Sequence, residues 1–179
     1  MFARWMPDAY FAHFYEITPE YLLANGIRAL ILDIDNTLVT YDDPVPTPQV
    51  CAWLEALRAA EIRFSFVSNN HRARVETFAQ NTGCHFFAYD SHKPRCGALR
   101  RAMQAMQAGA GCTCAVGDQI FTDLWAARGA GIRMILVPPI KDRRDPLTKG
   151  KRLLEKPILR AFRKRQPAQC VALGTQDPA

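Results

Sequence analysis

The sequence predicts an α/β fold: a central, mostly parallel sheet with helices on both faces, in three αβα layers. Three observations predict it. Short apolar runs alternate with stretches of helical periodicity between residues 29 and 137. The runs are continuous, as expected of strands covered on both faces. Polar and charged side chains gather just after the runs, where open parallel sheets bind their ligands.

The elements follow in order. "ALIL" (29–32) reads as a first strand. "TPQVCAWLEALRAA" (47–60) reads as a helix capped by Thr47, with Pro48 at its first position and Val50, Trp53, Leu54 and Leu57 at helical spacing. "IRFSFV" (62–67) is a second strand, and "HRARVETFAQNTG" (71–83) a short helix stopped by Gly83. Ser68-Asn69-Asn70 is expected to cap that helix as well as serve a site. "CHFFAY" (84–89) is a third strand, "PRCGALRRAMQAMQA" (94–108) a helix, and "CTCAVG" (112–117) a fourth strand. "TDLWAARGAG" (122–131) is a helix and "RMILV" (133–137) a fifth strand.

With 179 residues, 49% hydrophobic and 22% charged, the chain is of ordinary single-domain size. It contains no apolar run near the roughly 18 residues that span a membrane, and its start lacks the pattern of a signal peptide. A cytosolic protein is expected, at most one on the inner face of a membrane. The expected organisation is one domain over 1–140, with an aromatic extension at 1–26 packed on or beside it. A basic C-terminal segment, partly helical or flexible, follows at 141–179. The net charge of +6 is concentrated there: residues 141–165 hold eleven Lys or Arg against three acidic residues. Such a bias suits an anionic partner, lipid head groups or RNA, or simply a solvated tail. The six cysteines form no C-x-x-C pair, and Cys84, His85, Cys112 and Cys114 fit no usual zinc spacing.

The strand ends are richer. After the first strand come Asp33, Asp35 and Thr37; after the second, Ser68, Asn69 and Asn70; after the third, Lys93; after the fourth, Asp118 and Asp123. A parallel sheet gathers these ends on one rim. Carboxylates that close would force one another to protonate unless a hard divalent cation such as Mg²⁺ joined them. A cation, an ammonium and a Ser/Asn loop together suit a phosphoryl group. There is no Gly-x-x-x-x-Gly-Lys loop for a nucleotide. Taken singly, each motif has a plainer reading as a turn or a cap. Their order and common location favour a site.

The segments "DIDNT", "SNN", "KP" and "GDQIFTD" resemble the four ordered motifs of the haloacid dehalogenase (HAD) superfamily of phosphatases. From "MPDAYF" and "ITPEYL" to "ILVPPI" the chain is also similar to the YqeG-type family of subclass IIIA, over roughly residues 5 to 140. The resemblance implies a Rossmann-like HAD fold and a phosphate-monoester substrate. It implies Asp33 as nucleophile, Asp35 as general acid and base, and Lys93 as the neutralising cation. Ser68, Asn69 and Thr37 would serve the phosphate-binding loops. Asp33, the backbone carbonyl of Asp35, and Asp118 would bind Mg²⁺, and Asp123 would act behind them.

The intervals between motifs leave no room for a cap domain, so an open site is expected. Some relatives are phosphatidylglycerophosphate phosphatases, and the resemblance implies a phospholipid substrate. Leu153, Leu154, Ile158, Leu159 and Phe162 among the basic residues would suit an interface. The N-terminal aromatics Phe2, Trp5, Tyr10, Phe11, Phe14 and Tyr15 either pack on the sheet, the favoured reading, or meet a membrane. The alternatives are an uncapped phosphatase of nucleic acid or protein, and a non-catalytic binding module on the same scaffold.

Overall fold

The computed structural model describes residues 6–141 and 170–171. Seven strands form one sheet: β1 (Ala9–Phe11), β2 (Ala29–Leu32), β3 (Arg63–Val67), β4 (Phe87–Ala88), β5 (Thr113–Gly117), β6 (Arg133–Leu136) and β7 (Cys170–Val171). Their order across the sheet is β4-β3-β2-β5-β6-β1-β7, and every pairing is parallel. The helices are α1 (Pro19–Ala24), α2 (Pro48–Ala59), α3 (Arg72–Ala79), α4 (Gly97–Ala105) and α5 (Trp125–Ala130). After β2 the chain builds β3 and β4 on one side, then returns to place β5 on the other. The carboxyl end of β2 is therefore the switch point where ligands bind in open α/β sheets.

The two-residue period of the strands divides the core into two layers. Leu30, Leu32, Phe64, Phe66, Cys114 and Val116 face one way, into a cluster with Trp53, Leu57, Val75 and Phe78 of α2 and α3. Ala29, Ile31, Val67, Ala115 and Met134 face the other way, against Ala98, Leu99, Ala102, Ala126 and Ala127 of α4 and α5. The first layer is filled by aromatics, with Phe66 edge-on to Phe78 at 5.3 Å. The second is lined with alanines. Deleting one of the buried Phe side chains is expected to destabilise by about 3–5 kcal/mol.

The structure amends several expectations. The N-terminal segment contributes a strand, β1, and not only a covering. Asp8 anchors it by accepting hydrogen bonds from Arg128 Nη1 at 2.8 Å and the Met134 N–H at 2.7 Å. Tyr10, Phe11 and Phe14 are buried, Phe14 sits edge-on to Trp53 at 5.3 Å, and Trp53 Nε1 donates to the Ile17 carbonyl at 2.9 Å. These aromatics pack, and only Tyr15 among residues 6–15 is an exposed large aromatic. Helix α3 ends at Ala79, before Gly83, because Gln80 turns to extended backbone. Its cap is His71, whose Nδ1 accepts from the Arg74 N–H, and not the Ser68–Asn70 segment. The third strand shortens to Phe87–Ala88, and Cys112 lies in a 3-10 turn before β5.

Phe2, Trp5 and the basic run beyond Lys141, with its expected interfacial residues, lie outside the described residues. No helix among the described residues is long and apolar enough to cross a membrane.

Candidate active site

The segments that follow three strands converge on one place. β2 delivers Asp33, β5 delivers Asp118, and the loop after β4 delivers Lys93. Register sets this up: Leu32 pairs with both Phe66 and Val116, so the ends of β2, β3 and β5 lie within one residue of level. A π-helical turn, Ile120–Leu124, brings Asp123 back to the same spot. Oxygen atoms of Asp33, Asp118 and Asp123 all lie within 4.8 Å of one another.

Lys93 sits at the centre. Its Nζ donates to Asp33 Oδ1 at 2.7 Å, to Asp123 Oδ1 at 2.6 Å and to the Val67 carbonyl at 2.8 Å. Its side chain is 5% exposed, so all three ammonium donors are satisfied away from solvent. Burial alone would pull the Lys93 ammonium below its ordinary pKa, but Asp123 and Asp33 outweigh it and hold it above. Burial pushes the Asp33 carboxyl up, Lys93 opposes this, and Asp123 adds to it; the result is about 6. Lys93 thus offsets part of the mutual repulsion of Asp33 and Asp123.

The other oxygens are claimed in part. Thr37 donates its hydroxyl to Asp33 Oδ2 at 2.9 Å. Asp123 Oδ2 accepts from the Gln119 N–H at 3.1 Å and the Thr122 hydroxyl at 3.3 Å. Gly117 is required here: a Cβ on it would lie 2.6 Å from Asp123 Cγ. With both oxygens engaged by protein donors, Asp123 holds Lys93 and its own turn in place. The donor set, three buried or nearly buried carboxylates in a compact group, fits a hard divalent cation such as Mg²⁺.

Asp35 does not join this cluster with its side chain. Its Oδ1 accepts from Arg74 Nε at 3.1 Å and Nη2 at 2.9 Å, and its Oδ2 from Asn70 Nδ2 at 3.0 Å. Ser68 and Asn69 lie on the loop after β3. Ser68 Oγ accepts from the Asn70 N–H at 3.0 Å. Asn69 does not face the carboxylates: its Oδ1 takes the Lys93 N–H at 2.7 Å and its Nδ2 donates to the Lys93 carbonyl at 3.2 Å. Asn69 thus fixes the backbone of the loop that presents Lys93, and Thr37 buttresses Asp33.

The sequence reading gave Asn70 only a share in the Ser68–Asn70 loop and cap, and it gave no role to Arg74. Their signal was present but faint. Arg74 and Phe78 stand four apart on the buried face of α3, with the guanidinium 5.6 Å from the Phe78 ring centre. A groove of about 360 Å³ opens beside the Asp33 loop, bordered by Tyr15, Thr37, Thr40, Asp43, Pro139 and Ile140.

Comparison with known proteins decides the family. The chain is 33% identical to "Probable phosphatase YqeG" of Bacillus subtilis (strain 168) over 160 residues, 89% of this chain and 92% of that protein. The chain belongs to the YqeG family of HAD-like phosphatases. The HAD-hydrolase-like family pattern matches residues 90–157. Among solved structures, the chain is similar to the cobalt-bound deoxy-D-mannose-octulosonate 8-phosphate phosphatase of Haemophilus influenzae. The TM-score is 0.53 and the identity 17%, covering 79% of this chain and 91% of that one. An uncharacterized protein from Listeria monocytogenes serotype 4b matches at TM-score 0.53 and 19% identity, covering 73% and 99%. Both matches reflect the shared HAD-like Rossmann fold.

Proposed function

We propose that this phosphatase is Mg²⁺-dependent, works through an aspartyl-phosphate on Asp33, and acts on a phosphate monoester presented at a membrane surface. The observation that carries the chemistry is Lys93 bridging Asp33 and Asp123 beside Asp118. Asp33, Asp118 and the Asp35 carbonyl would hold the metal, which supplies charge neutralisation for the phosphoryl oxygens when bound.

The residues divide the work. Asp33 Oδ2 attacks phosphorus, forming a new P–O bond while the bond to the alcohol oxygen breaks. Asp35, carrying a proton in the substrate complex, gives it to that departing oxygen and is left as the carboxylate paired with Arg74. It then takes a proton from water as water attacks the phospho-aspartate, which releases phosphate and restores Asp33. Ser68 Oγ accepts from the Asn70 N–H, and its own proton would serve a phosphoryl oxygen. Lys93, held charged in a dry pocket, keeps Asp33 ionised and offsets the charge that develops.

The intervals from Thr37 to Ser68 and from Asn70 to Lys93 hold only α2 with β3, and α3 with β4. The rim is therefore open, which suits a bulky or surface-bound ester better than a small metabolite that needs enclosure. The adjacent groove gives the alcohol portion a place. Phosphatidylglycerophosphate is the substrate that the family resemblance and the basic segment favour. The cobalt-bound relative supports a divalent metal in this fold.

The test is turnover of p-nitrophenyl phosphate and of phosphatidylglycerophosphate in mixed micelles, with Mg²⁺ and with chelator. Mg²⁺-dependent release of phosphate from both is expected. Turnover of phosphorylated RNA ends with none of the lipid would overturn the lipid assignment. Rates equal to those of Asp33→Asn on every ester would overturn the mechanism.

A further inference from the structure

The Asp35 carboxylate is unusual in how completely it is held. Its side chain is 6% exposed and that of Arg74 is 9% exposed. Two Arg74 nitrogens meet the same oxygen, Oδ1, while Asn70 meets Oδ2. The guanidinium is fixed in turn by the Thr40 carbonyl at 3.3 Å and by the Phe78 ring. Its helix starts at the His71 cap, which receives the Arg74 N–H itself. Arg74 is therefore anchored at its backbone, its ring contact and its fork, and the carboxylate is oriented by an anchored partner.

A carboxylate oxygen offers two lone-pair sites. Arg74 uses both on Oδ1. Asn70 uses one on Oδ2, so one position on Oδ2 is left for any further bond. We infer that Arg74 is a positioning residue that clamps Oδ1 of Asp35 and leaves Oδ2 as the oxygen that serves the leaving group. Thr40 extends the effect, because the same Nη2 that grips Asp35 also ties the loop carrying Asp33, Asp35 and Thr37 to α3. The inference rests on Asp35 as the proton donor of the proposed reaction.

The prediction concerns leaving groups, because a misplaced acid harms only esters whose alcohol needs a proton to depart. In the Mg²⁺-loaded full-length protein, kcat/KM is measured for p-nitrophenyl phosphate, phenyl phosphate and an alkyl phosphate. Arg74→Ala is expected to lose about 10- to 100-fold on the alkyl ester and under about 3-fold on p-nitrophenyl phosphate. Asp35→Asn is expected to show the same trend more strongly, and the double variant to be no worse than Asp35→Asn alone. Arg74→Lys keeps the charge without the fork and is expected to fall between; it carries the test if Arg74→Ala does not fold.

Equal losses across the ester series in either Arg74 variant, with a selective loss in Asp35→Asn, would overturn the role of Arg74 alone. No leaving-group dependence in Asp35→Asn would overturn the acid assignment and this inference with it.

Discussion

Two buried charge clusters stand two residues apart on one loop and behave differently. Around Asp33, the Lys93 ammonium bridges Asp33 and Asp123, and Asp118 lies beside them. Around Asp35, one carboxylate meets one guanidinium and a neutral amide. The first cluster gathers carboxylates in a group that fits a divalent cation; the second pairs one carboxylate with one guanidinium. The difference teaches how one strand end hosts two acids. In the proposed mechanism, Asp33 stands where a metal and a phosphoryl group would bring further positive charge and a reacting centre, and Asp35 stands where its direction decides its use.

The largest effect separates the clusters by activity. Asp33→Asn is expected to abolish turnover of aryl phosphates, by more than about 10³-fold, because the attacking oxygen is lost. A steady-state assay on purified protein reads this directly.

Metal binding separates them next. Saturating Mg²⁺ should raise the unfolding temperature of the wild type, with about 2.7 kcal/mol of stabilisation at 100 times Kd. Asp118→Asn should lose most of that shift, whereas Arg74→Lys should keep it. A thermal melt with and without chelator makes the comparison.

Stability without metal should then change with opposite signs. Asp35→Asn leaves Arg74 as an uncompensated buried charge, a loss on the order of 3–5 kcal/mol. Asp33→Asn relieves an overcrowded carboxylate cluster and should stabilise above about pH 6. The sign follows from burial raising the Asp33 carboxyl from 3.8 to about 6. Below about pH 4 the group is protonated folded or unfolded, and the substitution has little effect. Between those values the folded state keeps its proton longer, so the wild type loses stability relative to Asp33→Asn as pH rises. Urea melts of chelated protein at pH 4 and pH 7.5 check this.

A smaller effect tests the packing beneath the first cluster. Gly117→Ala would drive a methyl into Asp123, at about 1–3 kcal/mol of stability. Turnover should fall several-fold as Lys93 loses its second carboxylate.

The same contrast explains what the sequence made legible. The first cluster was readable because Asp33 and Asp118 directly follow strands and Lys93 and Asp123 lie in the segments after strands, and a parallel sheet must gather those ends. The core strands were readable because "ALIL" and "TCAVG" are apolar on both faces. The second cluster was obscure because Arg74 resembles Arg72 in sequence. Arg72 pairs with Glu76 on the helix surface, while Arg74 turns inward to Asp35, 39 residues away. β1 was hidden for a similar reason: three residues carry no period, and its anchor joins Asp8 to Arg128 across 120 residues. His71 took the cap because Ser68 and Asn69 are held in the loop that braces Lys93.

The central claim is that Asp33 becomes phosphorylated, and the most direct measurement is mass spectrometry of an acid-quenched reaction. Asp35→Asn, slowed in hydrolysis of the intermediate, is mixed with Mg²⁺ and p-nitrophenyl phosphate, quenched and digested. The account predicts a phosphoryl increment on the peptide carrying Asp33 and none in Asp33→Asn. Release of phosphate by both proteins at equal rates, with no modified peptide, would contradict it.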